Sequence, residues 1–247
     1  MAAVMPAEIE YRVSKAESAG PVAERGRLSP AGHNTRGVAA EARCAADLEL
    51  EWRRKRTHVL PGLLPFVMCF VYHEDPVPLW NVGVVAAVVA TLVVIAVKSS
   101  HRIRLEKGEN WLRTCVTYAI PPVLSLVLFP RNAEYAAVML VVLAFGDAAA
   151  AIGGRRFGRR TLPWNSAKTW AGLAAFLFLA APLGSLAFWA EARPAVTFSQ
   201  ALISGCAAAA AAGIAESLPS RVNDNLRIVG AALAGVAVAG TIAVGSS

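Results

Sequence analysis

Along this chain the apolar residues come in long blocks. Helical or strand-like alternation, the mark of a soluble fold, is absent. After a polar stretch that fills the first fifty or so positions, seven apolar segments follow at about 59–72, 77–97, 112–129, 134–152, 169–190, 197–215 and 228–245. Blocks of about 20 residues match the hydrocarbon thickness of a bilayer at the rise of an α-helix, and predict membrane-spanning helices. Transmembrane β-strands would appear as alternating segments of about ten residues, and there are none. The first segment is short and carries Pro61 and Pro65, so it predicts a kinked span or a re-entrant hairpin with its neighbour. The predicted fold class is all-α, a polytopic transmembrane bundle.

Composition agrees, with 56% hydrophobic residues and a mean hydropathy of +0.49. Residues 1–52 contain no apolar run, and they mix acids such as Glu8, Glu17, Glu41 and Glu49 with Arg and Lys. Neither a signal peptide nor an acid-poor transit peptide is expected from that pattern. Two regions are therefore predicted: a polar, disordered cytosolic tail over 1–52 and a membrane-embedded domain over 53–247.

Charge gives the topology an independent test. With the tail inside and all seven segments crossing, every Lys and Arg of the 24 except Arg131 and Arg193 falls on the cytoplasmic side. Such asymmetry is what the positive-inside rule demands, so seven spans with a cytoplasmic N-terminus are expected. The net charge of +7 then reflects topology and anionic lipid, and nucleic acid is not an expected partner. Cys44, Cys69, Cys115 and Cys206 are scattered without CxxC spacing, which fits small packing residues. The Ala- and Gly-rich late segments predict close helix packing.

The same assignment gathers the chemistry-bearing groups on one membrane face. Asp147 is an acid inside an apolar run, where acids are expensive and face a protein interior or a wet cavity. It is followed by a predicted loop with Gly153, Gly154, Arg155, Arg156, Gly158, Arg159 and Arg160. Backbone amides and cations of this kind hold phosphates. The Gly153–Gly158 spacing resembles a P-loop, but Arg159-Arg160 stand where Lys and Ser/Thr are required, which excludes a Walker site. Asn165, Lys168 and Thr169 come next, and Lys168 is placed to act as a point-charge clamp on phosphate. Glu216 closes an Ala-rich span ahead of Pro219, and Asn223-Asp224-Asn225 form a polar turn before the last span. Carboxylates at Asp147, Glu216 and Asp224 would suit Mg2+, which takes one or two acids plus substrate phosphates. The run Arg53-Arg54-Lys55-Arg56 before the first span fits an anionic-lipid anchor, with His58 as a separate candidate.

These residues, in this order, resemble the CTP-dependent polyprenol kinases, the family of dolichol, phytol and farnesol kinases. The resemblance rests on four blocks: Arg54-Lys55-Arg56-Thr57-His58; Gly146-Asp147 through Gly158; Lys168-Thr169-Trp170-Ala171-Gly172; and Glu216 to Pro219 with Asp224-Asn225. Leu162-Pro163-Trp164-Asn165 is similar to the phytol/farnesol branch, whereas Asn223 and residues 227–230 depart from it. The resemblance implies transfer of the γ-phosphoryl of CTP to an isoprenoid alcohol such as phytol, geranylgeraniol, farnesol or dolichol. It further implies Mg2+ on Asp147 and Asp224, and phosphates on Lys168 and the Arg155–Arg160 segment. Glu216 or His58 would position or deprotonate the alcohol, with Asn165, Thr169 and Asn225 beside the nucleotide. Composition leans towards a prokaryotic plasma membrane with the site facing the cytoplasm. The alternatives are a CTP-dependent diacylglycerol kinase, a phosphatidate cytidylyltransferase-like enzyme, and a transporter or scaffold without catalysis.

Overall fold

The computed structural model describes residues 55, 58–70, 75–99 and 111–245. The predicted tail, Arg53, Arg54 and the cations of 100–110 lie outside the described residues. The chain is mostly helical, in the order α1 (His58–Met68), α2 (Leu79–Ser99), α3 (Trp111–Leu128), α4 (Ala133–Val141), a π-turn (Val142–Gly146), α5 (Asp147–Phe157), β1 (Thr161–Leu162), β2 (Asn165–Thr169), α6 (Trp170–Glu191), α7 (Phe198–Ser217) and α8 (Asp224–Gly245).

The described residues of all seven predicted apolar segments are mainly helical. Four continuous helices are long and apolar enough to cross a bilayer: Ala133–Phe157, Trp170–Glu191, Phe198–Ser217 and Asp224–Ile242. The apolar parts of the first three helices, His58–Met68, Leu79–Ile95 and Cys115–Leu128, are shorter. Proline accounts for part of this. The α1 helix breaks at Leu63 and restarts with Pro65 in its new first turn, the position proline tolerates best. Pro121 and Pro122 interrupt the hydrogen-bond ladder inside α3.

Three expectations need correction. The Gly/Arg segment is not a loop up to Phe157, because Gly153 to Phe157 form the last turns of α5. A run of four alanines carries the helix through the glycines, and the chain leaves it only at Gly158, whose N–H donates to the Gly154 carbonyl at 3.0 Å. The fold is also not purely α. β1 and β2 pair antiparallel, with Thr161 opposite Thr169 and Leu162 opposite Asn165, so Lys168 and Thr169 sit on a strand and not in a span. Finally, Asp224 and Asn225 belong to the first turn of α8 instead of a turn before it. Asn223 supplies the reason, because its side-chain oxygen accepts the Asn225 N–H at 2.9 Å and caps the helix.

The α4–π-turn–α5 helix is the centre of the packing. Its apolar window is 72% buried against 39% in each of the other three long helices. Val138, Val141, Val142, Leu143 and Ala144 are fully buried, as are Phe176 from α6, Ala208 and Ala212 from α7 and Ile228 and Val236 from α8. The predicted small-residue packing is present. A Cβ on Gly205 would lie 2.3 Å from the Ser185 backbone nitrogen, and one on Gly235 would lie 2.6 Å from the Ala207 carbonyl. At these two crossings backbone touches backbone, which only glycine permits.

This yields a paired expectation. Gly205→Ala forces α6 and α7 apart and should destabilise the protein by about 1–3 kcal/mol. Gly83→Ala, with nothing within 4 Å of its added methyl, should be neutral or gain the fraction of a kcal/mol that alanine offers in a helix. Thermal unfolding in detergent distinguishes the two; equal melting temperatures would contradict the close crossing.

Candidate active site

Five separated stretches of chain meet at one cavity of about 560 Å³. Lys55 precedes α1 and His58 begins it, and Asp147, Gly154 and Arg155 come from α5. The hairpin and the start of α6 add Lys168, Thr169 and Gly172, the last residues of α7 add Glu216, and the start of α8 adds Asn223, Asp224 and Asn225. Of the residues singled out in the sequence, His58, Asp147, Gly154, Arg155, Lys168, Thr169, Glu216, Asp224 and Asn225 are brought together here.

The floor of the cavity consists of paired charges. Lys55 is ion-paired with the Asp147 carboxylate, their side chains 7% and 17% exposed. Lys168 is ion-paired with Glu216, the acid only 4% exposed, and its ammonium also lies 3.6 Å from Asp224 Oδ2. Arg155, Ala167 and Asp224 are exposed and form the mouth. Floor and mouth therefore each carry charges of both signs.

Local structure explains how each group is held. The π-turn ends immediately before Asp147, and its extra residue resets the face on which the acid emerges; such bulges recur at functional positions. It is gripped from two sides. A Cβ on Gly62 would come within 2.3 Å of the Ala144 methyl, and one on Gly146 within 2.6 Å of the buried Phe176 ring. His58 is fixed through its carbonyl, which accepts the Tyr118 hydroxyl at 2.6 Å, while the two rings meet edge to face. Thr169 is the N-cap of α6 and accepts the Gly172 N–H at 3.1 Å. Gly153 packs on Ala175, and Gly154 on Thr169 and Gly172, so α5 and α6 cross closely beneath the hairpin.

The other predicted residues lie around the cavity without lining it. Asn165 donates to the Ser217 carbonyl at 3.0 Å, and Trp164 donates to the Ser217 hydroxyl at 3.3 Å. These bonds tie the hairpin to the end of α7 and so bring Lys168 to Glu216. Gly153 is buried in the α5–α6 crossing. Arg156, Arg159 and Arg160 are exposed, with the Arg156 guanidinium over the Phe157 ring at 5.6 Å. Gly158 ends the helix: a side chain there would meet the Gly154 carbonyl.

Two residues matter more than the sequence indicated. Lys55 read as one cation of a lipid-anchoring cluster, yet it is the buried partner of Asp147. Arg227 donates to Asp224 at 2.9 Å and to the Leu218 carbonyl at 2.7 Å, clipping α8 to the end of α7. The three-residue spacing of Asp224 and Arg227 on a helix was the available signal for this contact. Among the described residues no three His, Cys, Asp or Glu gather into a protein-only metal cage. Asp147 and Asp224 line the same cavity as hard oxygen donors, each paired in this structure with a cation, Lys55 and Arg227.

Burial acts to lower the Lys168 pKa, but Glu216, followed by Asp224 and Asp147, outweighs it and holds the group above its ordinary 10.5. A cation whose folded pKa is raised stabilises fully below its unfolded value, and that stabilisation is lost as pH rises through the folded pKa. Lys168→Met strands the buried Glu216 carboxylate and should cost about 3 kcal/mol. The deficit in melting temperature should stay constant from neutrality to about pH 10 and shrink above it. Adding Glu216→Gln should recover part of the loss at neutral pH; no recovery would mean the two side chains are not coupled.

Comparison with known proteins bears on this site. The profile of the cytidylyltransferase family matches residues 48–218. "Probable phytol kinase, chloroplastic" of Triticum aestivum is 34% identical over 129 residues, 49% of this chain and 42% of the relative. "Phytol kinase 1, chloroplastic" of Arabidopsis thaliana is 31% identical over 142 residues, 51% of this chain and 44% of the relative. "Probable phytol kinase 2, chloroplastic" of Glycine max is 27% identical over 186 residues, 73% of this chain and 63% of the relative. In each case the chain covers less than two thirds of the relative's length. No solved structure matches the chain.

Proposed function

Since the chain belongs to the cytidylyltransferase family, we propose that it is an integral membrane kinase that transfers the γ-phosphoryl group of CTP to the hydroxyl of an isoprenoid alcohol. The observation that carries this reading is the convergence of Lys55, His58, Asp147, Arg155, Lys168, Glu216 and Asp224 on one cavity at the ends of apolar helices. The phytol kinases among its relatives point to a long-chain isoprenoid alcohol as acceptor, with phytol and geranylgeraniol the first to test. The site faces the cytoplasm in this reading, where CTP is available.

In the transfer, the alcohol oxygen attacks the γ-phosphorus and the bond from that phosphorus to the β-bridging oxygen breaks. CDP departs, and the hydroxyl proton passes to His58 or Glu216 and then to water. Such a reaction needs positioning and charge neutralisation more than covalent help from the protein. Lys168, already between Glu216 and Asp224, clamps the transferring phosphoryl. Arg155 at the mouth draws in the triphosphate. Asp147 and Asp224 would hold Mg2+, which supplies positive charge against the phosphate oxygens when bound. Lys55 pairs with the Asp147 carboxylate and orients it among apolar helices, where a lone acid is expensive.

A second reading, cytidylyl transfer to phosphatidate, is favoured by the family's own description. It breaks the α–β bond of CTP and releases pyrophosphate. Isolated membranes containing the chain, given Mg2+ and phytol, geranylgeraniol, farnesol, a dolichol or diacylglycerol, should transfer label from γ-labelled CTP to one isoprenoid alcohol. Asp147→Asn should lower that transfer by about 100-fold or more. Lys168→Arg, which keeps a charge for Glu216 but not the compact ammonium, should lower it similarly while the protein remains monodisperse in detergent. Label entering phosphatidate from α-labelled CTP, with none from γ-labelled CTP, would replace the kinase reading by the second; full activity in both variants would remove these residues from the mechanism.

A further inference from the structure

A second cavity, of about 300 Å³, lies between α1, α2, α3 and α4. Its walls are almost wholly apolar. Pro65 and Met68 come from α1, Val85 from α2, Leu126 from α3, and Ala136 and Leu140 from α4. The polar exceptions are Asn81, near the start of α2, and Glu191, the last residue of α6.

What distinguishes this cavity is that helices lining it also reach the polar site. Two helices, α1 and the continuous α4–α5, line both, and α3 lines the apolar cavity while bonding to residues of the polar one. The α1 helix places His58 at the polar cavity and Pro65, seven residues on, at the apolar one. Leu140 of α4 lines the apolar cavity, and the same helix arrives at Asp147 seven residues later, through the π-turn. On α3, Tyr118 holds His58 and Thr117 meets the Asn225 amide at 3.4 Å, while Leu126 faces the apolar cavity. On α4–α5 seven residues separate Leu140 from Asp147, a rise of about 10 Å that sets the offset between the two cavities. The groove lined by Ile203, Ala207 and Val238 between α7 and α8 lies farther from the polar site: Ala207 is nine residues from Glu216, a rise of about 13.5 Å.

We infer that the apolar cavity between α1, α2, α3 and α4 receives the distal part of the acceptor's hydrocarbon chain and sets the chain length the site prefers. This inference rests on the proposed function for the identity of the acceptor. A molecule with its hydroxyl beside Asp147 must extend about 10 Å along α4 before its chain reaches Leu140. At about 30 Å³ for each atom-sized volume, the cavity then has room for about ten more carbons. An acceptor of the diterpenoid class fills both lengths. A short prenol fills only the first and leaves the cavity unused.

The test uses the full chain in detergent micelles, with two cavity-filling variants remote from the charged site, Ala136→Phe and Val85→Phe. The ratio of kcat/KM for geranylgeraniol to that for 3-methylbut-2-en-1-ol should fall at least tenfold in one or both variants, with the short alcohol unaffected. In parallel, a geranylgeraniol analogue with a diazirine at its distal end should crosslink the wild-type protein within α1, α2, α3 or α4. An unchanged ratio in both variants, together with adducts on α7 or α8, overturns the cavity assignment and leaves the kinase reading intact. Adducts in the cavity from a protein that phosphorylates no alcohol support the cavity and overturn the kinase reading. The crosslink is independent of turnover, so the two failures are distinguishable.

Discussion

Charge buried among apolar helices must be paired, and this constraint fixes the relation of every element around the site. Lys55 and Asp147 come from segments 92 residues apart, and Lys168 and Glu216 from segments 48 residues apart. Leaving any one of the four alone costs far more than a surface ion pair is worth. Mispaired arrangements of these helices are therefore penalised, and the ends of α1, α5, α7 and the hairpin are driven to one point. The same four charges then line a cavity in which cations and acids already face one another. On the proposed reading, a polyanion entering there meets these cations, and the acids supply the oxygen donors a divalent ion prefers.

Close approach of backbones is what allows so many helix ends to share that point. Between apolar helices in lipid there is no hydrophobic drive, so packing depends on contact distance and on hydrogen bonds. Gly62 admits Ala144, Gly146 admits Phe176, and Gly153, Gly154 and Gly172 let α5 lie against α6. Every one of these contacts flanks the helix that carries Asp147. A small residue is thus spent at each place where a side chain would push the acid away from Lys55.

Much of the fold and of the site was legible in the sequence for physical reasons that act locally. Span-length apolar blocks located the helices to within a few residues. An acid in such a block, at Asp147, pointed to the cavity that the fold builds around it. The positions that were misread depend on neighbours far away in the chain. Gly153 and Gly154 look like loop residues, because glycine is a poor helix former; tertiary packing against α6 overrides that preference. The strand character of Asn165 to Thr169 arises from pairing with two residues and from bonds to Ser217, neither visible in five polar positions. Lys55 was hidden in a run of cations that fits a lipid anchor equally well, and only the fold shows that it turns inward. Arg227 appeared as a departure from the phytol-kinase pattern and proves to clip α7 to α8.

On the proposed reading, the division between a charged cavity and an apolar one solves a problem that any enzyme acting on a membrane alcohol faces. The nucleotide is confined to water and the chain to hydrocarbon, so the reacting atoms meet only at the boundary between them. Binding energy from a chain that takes no part in the chemistry can hold the hydroxyl at that boundary, and such remote binding is what lowers the entropic cost of reaction. For this to work, the chain site and the phosphate site must be rigid with respect to one another. Helices that pass from one cavity to the other provide that rigidity directly, since an α-helix transmits a fixed rise per residue. The continuity of α4 through its π-turn into α5 is then a requirement of the chemistry: the helix carries the wall of the apolar cavity at Leu140 and the acid at Asp147, with no flexible connection between them.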